Sequence, residues 1–343
     1  MEQLIINGKK LTPANVHSAL SDAPPHLSAI RSFLEEWWND ENYIVVKTSG
    51  STGMPKEIEL SKKLVKASAD QTCDFFDLNR NTTGLLCLPV HYIAGKLMLV
   101  RAIRSGMPLI AVEPTMTAIC HLEANAHFAA LIPSQVVEAL SDAVGTAKLS
   151  SIPMVLIGGG PIDRETEARL AELPNACYHS YGMTETATHV ALRRIGMDAR
   201  YHALPGVRFE KDIDGALIIH ASYLAAPVHT TDLAEIHNEQ SFTWLGRTDH
   251  AVISGGVKLI PELIEKKIGH LLESRFYLRG ETDHLLGQKL VLMLEGSPWS
   301  EDRIHDLQSQ LHKLLNKFER PKEIRFESRF EETTSGKIRR LSG

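Results

Sequence analysis

Cysteine is scarce in this chain and follows no pattern. Cys73, Cys87, Cys120 and Cys177 form no CxxC pair and share no repeated spacing. That excludes the usual cysteine zinc site and argues against a disulfide framework, and it reads as reduced thiols in a cytoplasmic protein. Long apolar runs are missing too. No window approaches the roughly 18 consecutive apolar residues of a membrane-spanning helix. The N-terminus, MEQLIINGKKLTP, has no basic stretch leading into an apolar core, so no secretory signal is expected. Nor is there a basic excess: 37 Lys plus Arg face 42 Asp plus Glu, a net charge of −5. A dedicated nucleic-acid binder shows the opposite balance. The 16 histidines include no HExxH, and none is assigned to a metal.

What is present is an ordinary globular composition, 43% hydrophobic and 23% charged over 343 residues. That length exceeds the size at which single cores usually split, so a large domain plus a smaller one is expected. Residues 1–42 read as a short strand and then an amphipathic helix through HLSAIRSFLEEWW, whose Trp37 and Trp38 bury a helix face. YIVVKTS reads as a strand, and a helix follows Ser61, which caps it. From 84 to 160, apolar strand runs (GLLCLPV, PLIAVEP, HFAALIP, PMVLIGG) alternate with helical stretches that include KLMLVRAIRSG and SQVVEALSDAV. That alternation predicts an α/β fold, a mostly parallel sheet covered by helices. From about 200 the segments read as antiparallel β material, and from Asp249 as a small α+β segment. The expected division is therefore 1–248 and 249–343.

Four segments carry chemistry. Thr48, Ser49, Gly50, Ser51, Thr52, Gly53, Met54, Pro55 and Lys56 form a hydroxyl- and glycine-rich loop after a strand, ending in a lysine. Exposed amides and hydroxyls can wrap a polyphosphate while the lysine supplies charge. It is not a Walker A loop, which requires GxxxxGK[ST]. Ser180-Tyr181-Gly182-Met183-Thr184-Glu185 combines an aromatic face for a purine, a hydroxyl for phosphate and a carboxylate able to hold Mg2+. Upstream, Gly158, Gly159 and Gly160 close a strand and let a ligand approach backbone. Third come Asp232, a carboxylate at a strand end suited to ribose hydroxyls, with Arg247, and the run from Ser254 to Lys258. The fourth is the tail Thr333-Thr334-Ser335-Gly336-Lys337-Ile338-Arg339-Arg340.

In this order the segments resemble the acyl-adenylate-forming superfamily of acyl-CoA synthetases, adenylation domains and luciferases. The likeness runs from about Val45 to Arg340, and GGGPI leading to YGMTET is most similar to 2-succinylbenzoate–CoA ligases of menaquinone synthesis. The resemblance implies ATP, Mg2+ and coenzyme A as reaction partners, and a mobile C-terminal domain. It implies that the loop ending in Lys56 holds the β- and γ-phosphates, that Gly158–Gly160 and Tyr181 border adenine, and that Asp232 and Arg247 bind ribose. Thr184 would contact the α-phosphate, Glu185 the Mg2+, and Lys337 the α-phosphate during carboxylate attack. Asp249 aligns with the hinge, and Ser254, Gly255, Gly256 and Lys258 with the stretch that lines the pantetheine path.

The acyl pocket is expected near His91 and Tyr92, with Lys96 or Arg101 meeting the second carboxylate of the acid. Here the sequence departs from the family's Pro-Leu-Phe-His-x-Ser-Gly stretch, since Tyr92 stands where the histidine falls. Only 47 residues precede Thr48, against 100 or more additional ones in typical relatives. The resemblance then implies an acyl cleft with one wall expected to be missing or supplied by a second copy in a homodimer. Two other readings stay open: a different acid or a carrier-protein thiol, and a nucleotide-binding pseudoenzyme.

Overall fold

A computed structural model describes residues 2–47, 57–332 and 338–340. The chain divides into two compact units, Met1–Arg208 with His220–Val228, and Phe209–Ile219 with His229–Gly343. Asp249 lies inside the second unit.

The first unit is built on one sheet. Its strands lie in the order Tyr201–Ala203, His189–Arg194, Ala176–Gly182, Met154–Ile157, Phe128–Leu131, Gly84–Leu86, Leu109–Ala111, Leu4–Ile6, Lys9–Leu11. From Ala176–Gly182 to Leu4–Ile6 every pairing is parallel, while the outer pairings are antiparallel. Parallel strands read as near-continuous apolar runs because helices cover both faces. Accordingly all four residues of Phe128–Leu131 are buried. The core beneath the helices gathers Leu85, Ala129, Val136, Leu149, Val155 and Ile157.

The local signals act as expected in most places. Ser61 Oγ accepts from the Leu64 amide at 3.1 Å and starts the helix Lys62–Phe76. Trp37 is buried in the helix Pro25–Trp37, and both tryptophan indoles donate to Glu2. The expected helix through SQVVEALSDAV is instead two, Pro133–Leu140 and Ala143–Ser150. Asp142 breaks the run, because its carboxylate caps the second helix by accepting from the Gly145 amide at 2.7 Å. Burial pushes the Cys73, Cys87 and Cys177 thiols up to about 11, 12 and 11, so they stay protonated at neutral pH.

The strand Val228–Asn238, which lies in the second unit from His229 on, pairs antiparallel with Ser241–Arg247. A separate sheet orders Val257–Leu259, Val252–Ser254, Gly287–Glu295 and Phe276–Asp283, with Glu323–Glu327 added parallel to Gly287–Glu295. The helices Pro261–Ile268 and Glu301–Leu314 pack Ile264, Ile268, Leu307 and Leu311 against it. Among the described residues no helix is long and apolar enough to cross a membrane.

Candidate active site

The strand Tyr43–Lys47 that leads into the phosphate-loop sequence is present and pairs with Glu57–Ser61 in a two-stranded ribbon. Residues Thr48–Lys56 lie outside the described residues, as does Lys337. Val45 is held on its outer edge by side chains. Its N–H donates to Glu36 at 2.6 Å, and its carbonyl accepts from Lys96 Nζ at 2.6 Å. Lys96 and Glu36 also pair at 2.7 Å. Lys96 is thus engaged inside the fold, fastening the strand before the loop. Glu36 is a partner that sequence reasoning did not single out.

Arg101 is different. It sits on the helix Ile93–Ser105, 2% exposed, and no carboxylate among the described residues pairs with it. Among the described residues its Nε has no hydrogen-bond partner, and its other nitrogens reach Met98 Sδ at 3.8 Å and Thr188 Oγ1 at 3.5 Å. Burial draws its pKa down to about 10, which still leaves the guanidinium charged at neutral pH. Tyr92 precedes the first turn of the same helix, and its ring lies 4.3 Å from that of His91.

Gly158–Gly160 and Tyr181 come together on two neighbouring strands. Met154–Ile157 ends in Gly158–Gly160, and Gly159 takes φ +88°, a backbone that favours glycine. A Cβ on Gly158 would lie 2.5 Å from Ser180 Oγ, which itself donates to the Ile157 carbonyl at 3.0 Å. Ala176–Gly182 carries Tyr181 and enters the single 3-10 turn Thr184–Thr186. Buried Thr186 closes that turn: its Oγ1 accepts from the Met183 amide at 3.1 Å and is 2.6 Å from the Thr188 carbonyl. Ala187 is held at φ +63°, a strained backbone of the kind that concentrates at functional sites. A Cβ at Gly182 would collide with the Thr188 carbonyl at 2.3 Å, so only glycine fits. The outcome is a half-buried Thr184 beside an exposed Glu185 carboxylate. One carboxylate plus nucleotide phosphates is the usual protein share of a Mg2+ site, and Glu185 fits it.

Beneath the glycines lies a polar network that sequence reasoning missed. His179 Nε2 is 2.9 Å from the Gly160 carbonyl, and its Nδ1 is 2.8 Å from Tyr201 Oη. A carbonyl only accepts, so Nε2 carries the proton and Nδ1 accepts from the tyrosine. Arg193 lies against the same ring at 3.4 Å and forks onto Glu167 at 2.5 and 2.7 Å. The available signal was the spacing: His179 stands two residues before Tyr181 on a strand, on the same face.

Burial first, and Arg193 second, draw the His179 pKa down to about 4. The unfolded ring takes up a proton below about pH 6.5 and the folded ring does not. The stability contributed by a neutral His179 is therefore full above pH 6.5. It falls as pH drops toward 4, by about 3 kcal/mol, and no further below that. His189, buried beside Arg101, acts in the same direction. Urea unfolding from pH 7 to 4 should show this loss, and His179→Gln should flatten it; an unchanged slope would contradict the neutral assignment.

In the second unit, Asp232 pairs directly across from Arg247. The strands shift register between Leu233 and Ala234, so that Leu245 is an extra residue on its strand. Without that bulge Gly246 would face Asp232 instead. Arg247 is not directed mainly at Asp232. Its guanidinium forks onto Asp249 at 2.8 and 2.7 Å and reaches Asp232 only at 3.8 Å. Asp249 sits in the 3-10 turn Thr248–His250, and His250 Nδ1 donates to the Glu262 carboxylate at 2.5 Å. Gly255 and Gly256, at φ +57° and +80°, are the two-residue turn joining Val252–Ser254 to Val257–Leu259. Both positions require positive φ, which is why glycine occupies them. Lys258 is exposed on the second of these strands.

The first unit thus carries the strand-end glycines and the Thr184–Glu185 turn, and the second unit the Asp232–Arg247 pair. The AMP-binding enzyme family matches residues 9–209, more than half of the chain, and the chain belongs to that family. A probable 2-succinylbenzoate–CoA ligase of Mycobacterium tuberculosis is 29% identical over 320 residues, covering 87% of this chain and 82% of that protein. A 2-succinylbenzoate–CoA ligase of Bacillus cereus is 24% identical, and 82% of this chain spans 66% of its length. Among solved structures, an AMP-forming acyl-CoA synthetase/AMP-acid ligase II-like protein of Dyadobacter fermentans is 33% identical with a TM-score of 0.66, covering 96% of this chain and 97% of its own. The o-succinylbenzoate–CoA synthetase of Bacillus subtilis, solved with ATP and magnesium, shares the fold at a TM-score of 0.74 and 19% identity. Those alignments cover 86% of this chain and 68% of that one.

Proposed function

We propose that the protein is an ATP-dependent acid–thiol ligase that activates 2-succinylbenzoate and passes it to coenzyme A. The observation that carries the choice of acid is Arg101, a buried guanidinium with no carboxylate partner among the described residues. An uncompensated buried charge is costly, and a ligand carboxylate reaching it would supply the missing counter-charge. Lys96, the other candidate, already has Glu36. The ligase names of the relatives support the same reading.

In the first step a carboxylate oxygen of the acid attacks the α-phosphorus of ATP. The new O–P bond replaces the bond to pyrophosphate, which leaves with its electron pair. Thr184 and Lys337 would stabilise the charge on the α-phosphate, while Thr48–Lys56 would hold the leaving phosphates. Mg2+ held at Glu185 would neutralise phosphate charge. In the second step the coenzyme A thiolate attacks the acyl carbon, the thioester forms and AMP departs. Asp249 would be the hinge between steps in a division at 1–248 and 249–343, with Gly255, Gly256 and Lys258 beside the pantetheine. Exchange of radiolabelled pyrophosphate into ATP that depends on 2-succinylbenzoate tests the first step, and exchange indifferent to the acid would refute it. Asp249→Pro should keep that exchange and lose thioester formation, because hinge residues absorb backbone rotation that proline forbids. Equal loss of both steps would count against the hinge.

A further inference from the structure

Asp232 needs an orienting partner. A carboxylate that accepts from two vicinal ribose hydroxyls must present a fixed plane, yet the outer torsion of an aspartate is broad and soft. Arg247 does not supply the constraint, since its fork is taken by Asp249 and its contact to Asp232 is 3.8 Å. A short contact comes from Trp244, whose indole Nε1–H donates to Asp232 Oδ1 at 3.0 Å. Trp244 pairs with Ala234, so it stands on the same face of the ribbon as Asp232, two residues along. The bulge at Leu245 brings Trp244 and Arg247 to the same carboxylate although their spacing along the strand is odd. The base of the site is fixed as well: the Asp232 amide donates to Thr230 Oγ1 at 3.0 Å, and that hydroxyl donates to the Leu217 carbonyl at 2.8 Å. Asp232 itself is 7% exposed.

We infer that Trp244 is a positioning residue for the ribose of the nucleotide, acting through Asp232. An indole suits this role because it donates and never accepts. It can hold one carboxylate oxygen without competing for the hydroxyl protons of the sugar. The inference rests on the reading of Asp232 as the ribose ligand, so the experiment must separate the two.

The test is calorimetric binding of ATP, 2′-deoxy-ATP and 3′-deoxy-ATP to the full chain in Mg2+. Three proteins are compared: wild type, Trp244→Phe and Asp232→Asn. Loss of one hydrogen bond to a charged group is expected to weaken ATP about 10-fold in Trp244→Phe. The two deoxy nucleotides should change less, so the preference for the intact ribose shrinks. If Trp244→Phe binds ATP like wild type, or weakens all three nucleotides equally, the positioning role is overturned and the residue is packing only. If Asp232→Asn keeps the full ribose preference, the ribose reading itself fails, and the role of Trp244 with it. Should Trp244→Phe melt well below wild type, benzothienylalanine at position 244 replaces only the N–H by sulfur. It should then reproduce the same loss of preference; an unchanged preference would overturn the proposal.

Discussion

Lys337→Ala should reduce acid-dependent ATP–pyrophosphate exchange by about 10²- to 10³-fold while ATP still binds. Removing one donor aimed at charge that develops only in the transition state costs roughly 3–4 kcal/mol, and ground-state binding changes little. Lys337 lies outside the described residues, but the chain is fastened on either side of residues 333–337. Glu332 and Ile338 form an antiparallel bridge, and the Arg339 amide donates to the Glu331 carbonyl at 2.8 Å. Arg340 donates to Glu265 at 2.7 Å, and Ile338 packs on the cluster of Tyr277, Val291, Met293 and Phe330. Thioester formation from supplied acyl-adenylate should survive the substitution. Equal loss of both half-reactions, or loss of ATP binding, would refute the assigned role.

Arg101→Met should split stability from activity. Burying a guanidinium without a counter-charge destabilises the folded chain, and a flexible apolar side chain of similar volume removes that cost. Unfolding free energy should rise by about 1–4 kcal/mol. The same change removes the cation that would meet the far carboxylate of the acid. Losing a charge-assisted hydrogen-bonded pair should lower kcat/KM for 2-succinylbenzoate by about 10- to 100-fold. A monocarboxylic aryl acid, which has no second carboxylate, should lose far less. A drop in stability, or an equal loss with both acids, would show that Arg101 has a structural role that its contacts to Met98 and Thr188 conceal.

Much of the fold was legible because its signals are local. The apolar runs at 84–86, 128–131 and 154–157 become adjacent parallel strands, and Ser61 caps a helix where its hydroxyl predicts. The break at Asp142 was missed because an aspartate inside an apolar rhythm reads as a solvent-facing position until its cap geometry is seen. Residue types alone singled out Gly158–Gly160, Tyr181, Thr184, Glu185 and Asp232 as candidates, since each has a direct chemical use. Those that act through another residue were invisible. His179 meets Gly160 and Tyr201 across the sheet, and Trp244 meets Asp232 only because a bulge shifts the register. Lys96 and Arg101 are equivalent as charges in sequence. Their partners distinguish them, because one pairs with Glu36 and the other has no carboxylate beside it among the described residues.

The most direct measurement is mass-spectrometric detection of products from the full chain with Mg-ATP and 2-succinylbenzoate, with and without coenzyme A. Acyl-AMP and pyrophosphate should form without coenzyme A, and the acyl-adenylate should convert to the acyl-CoA and AMP when it is added. ATP binding with neither product from this acid would contradict the assignment of 2-succinylbenzoate. The same silence across a panel of other carboxylic acids would contradict ligase chemistry altogether.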